Sequence, residues 1–306
     1  AHLHGKGNFL VQLDGKDEEE MKKVLEACAY GKSKELLLVP VTVNTEKILD
    51  KFSWKFFKNE SLGIVKLNFH EPYSTEDLES FIEVERIVQH FEFDLTMKRP
   101  VMSTNVVAFL LLTEFRNGVK IEDFAAKLDE LRSRHLGIDF GFDGSSEDII
   151  NHAISILGED LVTKNFELAS NISEISRYAE VVTPHFVMES ILFVTAESLK
   201  NSESFVDFDE LFSSATDLCE LLSLPIKPCM DFSHQLTSAF DRLSNNLVMT
   251  RPEKKAISDN EQRARRMAKH FESDSEDDDG YQSRNKENEV TVHRDAKELR
   301  NVVVPI

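Results

Sequence analysis

Cysteine is scarce in this chain. Cys28, Cys219 and Cys229 are the three among 306 residues, and no two stand at metal-ligand spacing. An odd, sparse set argues against a disulfide framework or a zinc site and points to free, mostly buried thiols in a reducing compartment. Long apolar runs are also lacking. The most apolar, Val106-Val107-Ala108-Phe109-Leu110-Leu111-Leu112, is far short of the 18 or so residues that a membrane-crossing helix needs. It reads first as a buried helix and second as a contact with a membrane surface. Positive charge is the third shortage, with 36 Lys and Arg against 55 Asp and Glu for a net charge of −19. Residues 251–306 carry 12 basic and 13 acidic residues, so the first 250 carry 24 and 42, a net of −18. A body this acidic repels polyanions, which excludes nucleic acid as an expected partner. It suits phosphorylated ligands only where basic residues are concentrated locally. The chain opens at Ala1 with no apolar leader, and processing or truncation is expected to have removed its start.

What is present suffices for one or two domains, since 41% of residues are hydrophobic and the aromatics are mostly Phe. Residues 1–95 alternate between strand and helix patterns. Phe9–Leu13 reads as a short strand ended by Asp14-Gly15, and Glu18–Tyr30 as a helix with Met21, Val24, Leu25 and Cys28 on one face. Leu36–Val43 is an almost unbroken apolar run of the kind that buried parallel strands show, with Pro40 marking a bulge or the strand's end. Gly63–Phe69 alternates as another strand, and Ser74 is placed to cap a helix reaching about Phe91.

From residue 96 to 250 the pattern is helical. Met102–Arg116 is closed by Asn117-Gly118, and Ile121, Phe124, Leu128 and Leu131 form the next apolar face. Ser145, with Asp148 three residues on, caps a third helix ending at Leu157-Gly158. Further helices are expected from Pro184, over Asp207–Leu224 and over Asp231–Leu243, with weakly signalled strands near Leu161–Thr163 and Ala179–Val182. From Arg251 the apolar periodicity is lost. A basic cluster (Arg263, Arg265, Arg266, Lys269) precedes the acidic run Glu272–Asp279, so 251–306 reads as a disordered tail. The serines within that acidic run sit in surroundings that acidophilic kinases accept.

Three stretches carry recognisable motifs. The first is Leu38-Val39-Pro40-Val41-Thr42-Val43-Asn44-Thr45-Glu46. The second is Gly63–Ser74, which includes the adjacent His70 and Glu71; neighbours on a strand point to opposite faces, so they do not form an acid–base pair. The third runs from Met102-Ser103-Thr104 through Leu110-Leu111-Leu112 and Gly118 to Asp139-Phe140-Gly141-Phe142-Asp143-Gly144-Ser145-Ser146-Glu147-Asp148. Its acids suit a helix N-terminus, and no EF-hand register is present, so no metal site is expected. In order and spacing, these stretches resemble the mitochondrial-type glycerol-3-phosphate acyltransferases, over about residues 9 to 245.

That resemblance implies a fold and a reaction. The fold would be an α/β remnant, the end of an acyltransferase αβα domain over 1–95, then a helical domain over 96–250 and the disordered tail. The reaction would move an acyl group from acyl-CoA to the sn-1 hydroxyl of glycerol 3-phosphate, giving lysophosphatidic acid with no cofactor. It would take place at a mitochondrial outer or endoplasmic reticulum membrane. The first stretch is similar to the family's fourth conserved block, commonly V-P-[VI]-x-[IV]-S-Y-D-R-[IL], which assigns substrate contacts to Val39, Pro40, Val41, Asn44 and Glu46. Asn44, Thr45 and Glu46 stand where the family has Ser, Tyr and Asp. The family's catalytic H-x4-D motif has no counterpart here, since no His is followed by Asp five residues later. The arginine-bearing F-x-E-G-T-R-S block is also missing where Phe9–Lys16 keeps only a strand and a Gly-Lys end. The expectation is therefore a family member without its own catalytic residues. Either it is part of a longer enzyme, or it is a non-catalytic interaction relative that binds a protein partner.

Overall fold

A computed structural model describes residues 23, 37–48, 63–74, 84–134, 137–163, 165–169, 171–200, 205–222, 231–251, 289–293 and 297–303. The strand expected at Phe9–Leu13, the helix expected over Glu18–Tyr30 (apart from Lys23, which is helical) and the acidic run of the tail lie outside these residues. The described part is mainly helical with small antiparallel sheets. The chain divides into two compact units, one of residues 1–186 and 224–231, the other of 187–223 and 232–306.

In the first unit the apolar run at 36–43 is broken at Val39-Pro40 into β1 (Leu37–Leu38) and β2 (Val41–Thr45). β1 pairs with β4 (Tyr73–Ser74), and β2 pairs with β3 (Val65–Phe69), both antiparallel. This corrects the buried parallel strand expected there. Val39 and Val43 are 48% and 46% exposed, and the burial along β2 alternates. An antiparallel hairpin needs only one covered face, so a run of valines does not require burial on both. Ser74 belongs to β4, and the helix that follows, α1 (Val84–Met97), continues past the expected end at Phe91.

Helix α2 (Ser103–Thr113) holds the most apolar run of the chain, and all eleven of its residues are buried. A helix apolar all round belongs in a core; this run is therefore interior, and the membrane-surface reading of it is withdrawn. α2 lies against α4 (Ser146–Leu157) and α5 (Ile172–Ala179), and α4 also packs on α3 (Ile121–Arg134). α4 starts where the sequence places it: the Ser145 hydroxyl accepts from the Asp148 amide at 3.3 Å, Glu147 and Asp148 occupy the first turn, and Gly158 at φ +82° ends it. Where a strand at Ala179–Val182 was expected, α5 ends at Ala179 and residues 180–182 form a turn. Asn171 caps α5 by accepting from the Glu174 amide. Near Leu161–Thr163 only an isolated bridge, Val162 to Leu168, is formed.

The division between the units falls inside α6 (Thr183–Leu199). The second unit continues with β5 (Phe205–Asp207), α7 (Phe208–Leu221), α8 (Phe232–Asn245), β6 (Met249–Thr250), β7 (Glu289–Val292) and α9 (Lys297–Val303). β7 is the central strand, paired antiparallel with β5 and β6. Val206, Met249 and Val290, one in each strand, are buried, and Leu299 of α9 is buried as well. The expectation of a disordered tail from 251 onward thus fails at 289–293 and 297–303. Val290 and Val292 alternate with polar neighbours, enough for a four-residue strand that has partners on both sides. Among the described residues, no single helix is long and apolar enough to cross a membrane.

Candidate functional site

The first unit places the three resembling stretches around one buried carboxylate. β2 presents Thr42, Asn44 and then Glu46 inward, all buried, with Glu46 at 0% exposure. Alternation along the strand puts the polar residues on one face and Val41 and Val43 on the other. The ladder to β3 extends past the strand ends: the Glu46 amide donates to the Ile64 carbonyl at 3.1 Å, and the His70 amide to the Pro40 carbonyl at 3.0 Å.

Glu46 is saturated. The Ser103 hydroxyl at the start of α2 donates to Oε1 at 2.5 Å, the Ile64 amide donates to Oε2 at 2.8 Å, and His152 Nε2 on α4 lies 3.0 and 2.9 Å from the two oxygens. The Thr104 hydroxyl donates to the Glu46 carbonyl at 2.7 Å. Burial pushes the Glu46 carboxyl up, but the Ser103 hydroxyl, the Ile64 amide and His152 outweigh it and hold the group below its ordinary value. Gly63 makes this approach possible. It sits at φ +70°, and a Cβ there would lie 2.4 Å from Glu46 Oε2.

Asn44 fastens the same strand to the helical layer. Its Nδ2 donates to the Pro100 carbonyl at 2.7 Å and to Asn105 Oδ1 at 2.8 Å. Asn105 Oδ1 also accepts from the Met102 amide, and its Nδ2 donates to the Tyr178 carbonyl at 3.1 Å. The third stretch closes the arrangement from the other side. The Val101 amide donates to the Asp139 carbonyl and the Gly141 amide to the Val101 carbonyl, each at 2.8 Å. The Asp139 side chain holds Lys66 at 2.8 Å and Asn68 at 2.5 Å on β3. Gly141 has no room for a Cβ, which would meet Met102 Sδ at 2.8 Å.

Of the residues to which the resemblance assigns substrate contacts, Asn44 and Glu46 are therefore brought together inward, and Val39 faces out. Pro40 is buried beside β2, and Val41 is half-buried. His70 contacts Thr42 Oγ1 at 2.9 Å while Glu71 is exposed. Among the described residues, no group of three or more His, Cys, Asp or Glu is placed to hold a metal ion; Asp139 accepts from Lys66 and Asn68, and the Ser145 hydroxyl donates to the Asp148 carboxylate at 2.6 Å. An imidazole oriented by a carboxylate is the usual arrangement for proton transfer. Here the carboxylate's other valences go to Ser103 and Ile64, and the Ser103 hydroxyl is itself fully buried. The chemistry of the cluster is that of a clamp joining hairpin, α2 and α4. His152 carries no motif that a reader of the sequence would single out, since its partner is 106 residues away. Ser103 lies in the recognisable Met102-Ser103-Thr104 triplet, and that was the available signal.

Comparison with known proteins agrees with this assembly of motifs. The model of the glycerol-3-phosphate acyltransferase C-terminal region matches residues 45–274. The chain is similar to mitochondrial glycerol-3-phosphate acyltransferase 1 of Bos taurus, with 28% identity over 204 residues covering 57% of this chain and 24% of that protein. It is also similar to the Sus scrofa protein (27% over 186 residues; 51% and 22%) and the Homo sapiens protein (27% over 189 residues; 51% and 22%) of the same name. The chain thus spans about a quarter of the length of the curated relatives it matches. Because the family model covers well over half of its residues and the stretches that carry the resemblance converge on one buried junction, the chain belongs to the glycerol-3-phosphate acyltransferase C-terminal region family.

Proposed function

We propose that this chain serves as the C-terminal region of a glycerol-3-phosphate acyltransferase. That enzyme moves an acyl group from acyl-CoA to the sn-1 hydroxyl of glycerol 3-phosphate at a mitochondrial or endoplasmic reticulum membrane. In the reaction the hydroxyl oxygen forms an ester bond to the thioester carbonyl as the C–S bond breaks, and CoA leaves as the thiol. The observation that carries the reading is the family match over 45–274 together with the convergence of the matching stretches around Glu46. In this reading the Val39–Glu46 segment contributes the edge of a site whose reacting groups lie outside these 306 residues. Asn44 and Glu46 act as positioning residues: they hold β2 at a fixed depth against α2 and α4. Val39 is the member of the block that reaches the surface, with Pro40 buried and Val41 half-buried behind it.

The sequence contains no H-x4-D, so the reading predicts no acyl transfer by this chain alone. The experiment is a radiolabelled glycerol 3-phosphate assay on the purified chain and on the same chain extended to include an upstream H-x4-D region. Activity in the extended protein only, lost when Glu46→Ala is introduced, supports it. An extended protein that binds neither glycerol 3-phosphate nor acyl-CoA but captures a protein partner favours the alternative, a non-catalytic interaction relative. The missing arginine-bearing block is the observation that keeps that alternative in play.

A further inference from the structure

The sheet of the second unit is assembled out of chain order. Its middle strand, β7, comes last in the sequence and lies between β5 and β6, which do not pair with each other. The match to the family region ends at residue 274, so β5 and β6 fall within it and β7 and α9 lie beyond it. Val206 pairs with Val290 and Phe205 with Thr291 in one ladder; Met249 pairs with Val292 and Thr250 with Thr291 in the other. The His293 amide extends the second ladder by donating to the Val248 carbonyl at 2.9 Å. α9 is then tied to α6: the buried Ser190 hydroxyl donates to the Leu299 carbonyl, and Arg300 pairs with Glu197. Without residues 289–303, the ladder groups of β5 and β6 that face β7 lose their partners. Such a slot is filled by strand addition, through main-chain hydrogen bonds.

We propose that residues 289–303 are the detachable occupant of a peptide-acceptor site built from β5, β6 and α6. The site takes an extended segment followed by a short helix. Its side-chain anchors are an aliphatic residue at the position of Val290 and a helical Leu299-Arg300 pair whose guanidinium reaches the Glu197 carboxylate. Among the described side chains of the segment, Val290 and Leu299 are the buried ones, while Thr291, Val292, Asn301 and Val302 are half-buried. The conformational entropy of ordering the segment is comparable to what two anchors and short ladders return. One pair opposes docking: Glu289 stands directly opposite Asp207, and like charges so placed weaken an antiparallel ladder. Asp209 and Glu210 in the first turn of α7 add to the acid there. A covalent tether raises the local concentration of the segment to about the millimolar range, which keeps a weak occupant in place. The inference is independent of the proposed acyltransferase role.

The test keeps every residue of the chain present. A recognition sequence for a specific protease is placed after Gly280, and the folded protein is cut there. A fluorescent peptide of residues 287–306 is then titrated into cut and uncut protein at micromolar concentration, and binding is read by anisotropy. The expected result is that the peptide enters the cut protein and binds the uncut protein at least about 100-fold more weakly, because the tethered segment holds the site. Substitutions are made in the peptide, where they cannot unfold the protein. Val290→Asp should weaken binding by about tenfold or more, and Glu289→Lys should strengthen it by about two- to fivefold. Four results would overturn the proposal. The cut fragment stays bound overnight against excess peptide, which makes it a fixed part of the fold. The fragment leaves but the peptide shows no affinity. The peptide binds cut and uncut protein equally. The Val290→Asp peptide binds as well as its parent. Acyl transfer does not enter these readouts, so their failure leaves the family reading standing.

Discussion

The junction around Glu46 and the interior of the second unit solve the same problem by opposite means. In the first, segments 57 and 106 residues apart are joined by hydrogen bonds to a single carboxylate. In the second, α7 and α8 carry the buried Leu211, Ala215, Cys219, Leu236, Ala239 and Leu243, with Phe208, Phe212 and Phe240 packed tilted and edge to face at one end. Polar pairs in this unit instead tie α6 to α8 and α9: Arg242 Nε donates to the buried Glu189 at 2.5 Å, the buried Ser190 hydroxyl donates to the Leu299 carbonyl, and Arg300 reaches Glu197. A hydrogen-bonded junction demands particular atoms at particular positions, whereas an apolar interior demands volume. That difference explains why the family motifs were legible around Glu46 and much fainter through α7 and α8.

The comparison can be broken by substitutions that respect shape but not polarity. Glu46→Ala strips acceptors from the Ser103 hydroxyl, the Ile64 amide and His152 at once, and should cost about 3–5 kcal/mol in urea unfolding. Leu236→Ala, at a fully buried site, should cost about 2–5 kcal/mol through lost burial and the cavity left behind. The sharper contrast comes from near-isosteric swaps. Leu236→Met should cost less than about 1.5 kcal/mol, whereas Glu46→Gln puts an amide donor among donors and should cost about 1–3 kcal/mol. Equal costs for the two would remove the distinction. Smallest of the set, Ser145→Ala should cost about 1 kcal/mol by opening the N-terminus of α4.

Titration adds a directional test. The folded-state value of Glu46 is depressed below its ordinary 4.5, so the stability it lends is present above that value and is lost as pH falls through the lower folded value. The gap in stability between wild type and Glu46→Gln should therefore be widest near neutrality and close in acid. Cys219 behaves differently: burial, with Glu220 nearby, pushes its thiol up to about 11. It should resist alkylation in native buffer at pH 8 and react once α7 is unfolded, as followed by mass spectrometry of the tryptic peptide.

Much of the fold follows from local pattern. α2, α3 and α4 carry clear apolar faces or runs, and the Ser145 cap and Gly158 stop are written in the sequence. What the pattern could not supply is pairing. The valines of β2 are equally consistent with a parallel buried strand, and only the register with β3 reveals that its inner face is the polar one. β7 joins β5 from more than 80 residues away, inside a stretch otherwise dominated by charge, so nothing local announces it. α5 is eight residues long with three buried positions, too short for periodicity to stand out, although Asn171 and Glu174 were a readable cap. At the candidate site, Asn44, Glu46 and Ser103 were legible through motifs, but His152 and Tyr178 became partners only through folding.

The central claim is that the family-resembling stretches act as one clamp centred on Glu46. A double-mutant cycle of Glu46→Gln and Ser103→Ala, measured by urea unfolding at pH 7, tests it most directly. The account predicts a coupling above about 1 kcal/mol, because Ser103→Ala removes the donor and Glu46→Gln neutralises the charged acceptor of the same bond. A coupling near zero, with the two costs simply adding, would contradict it.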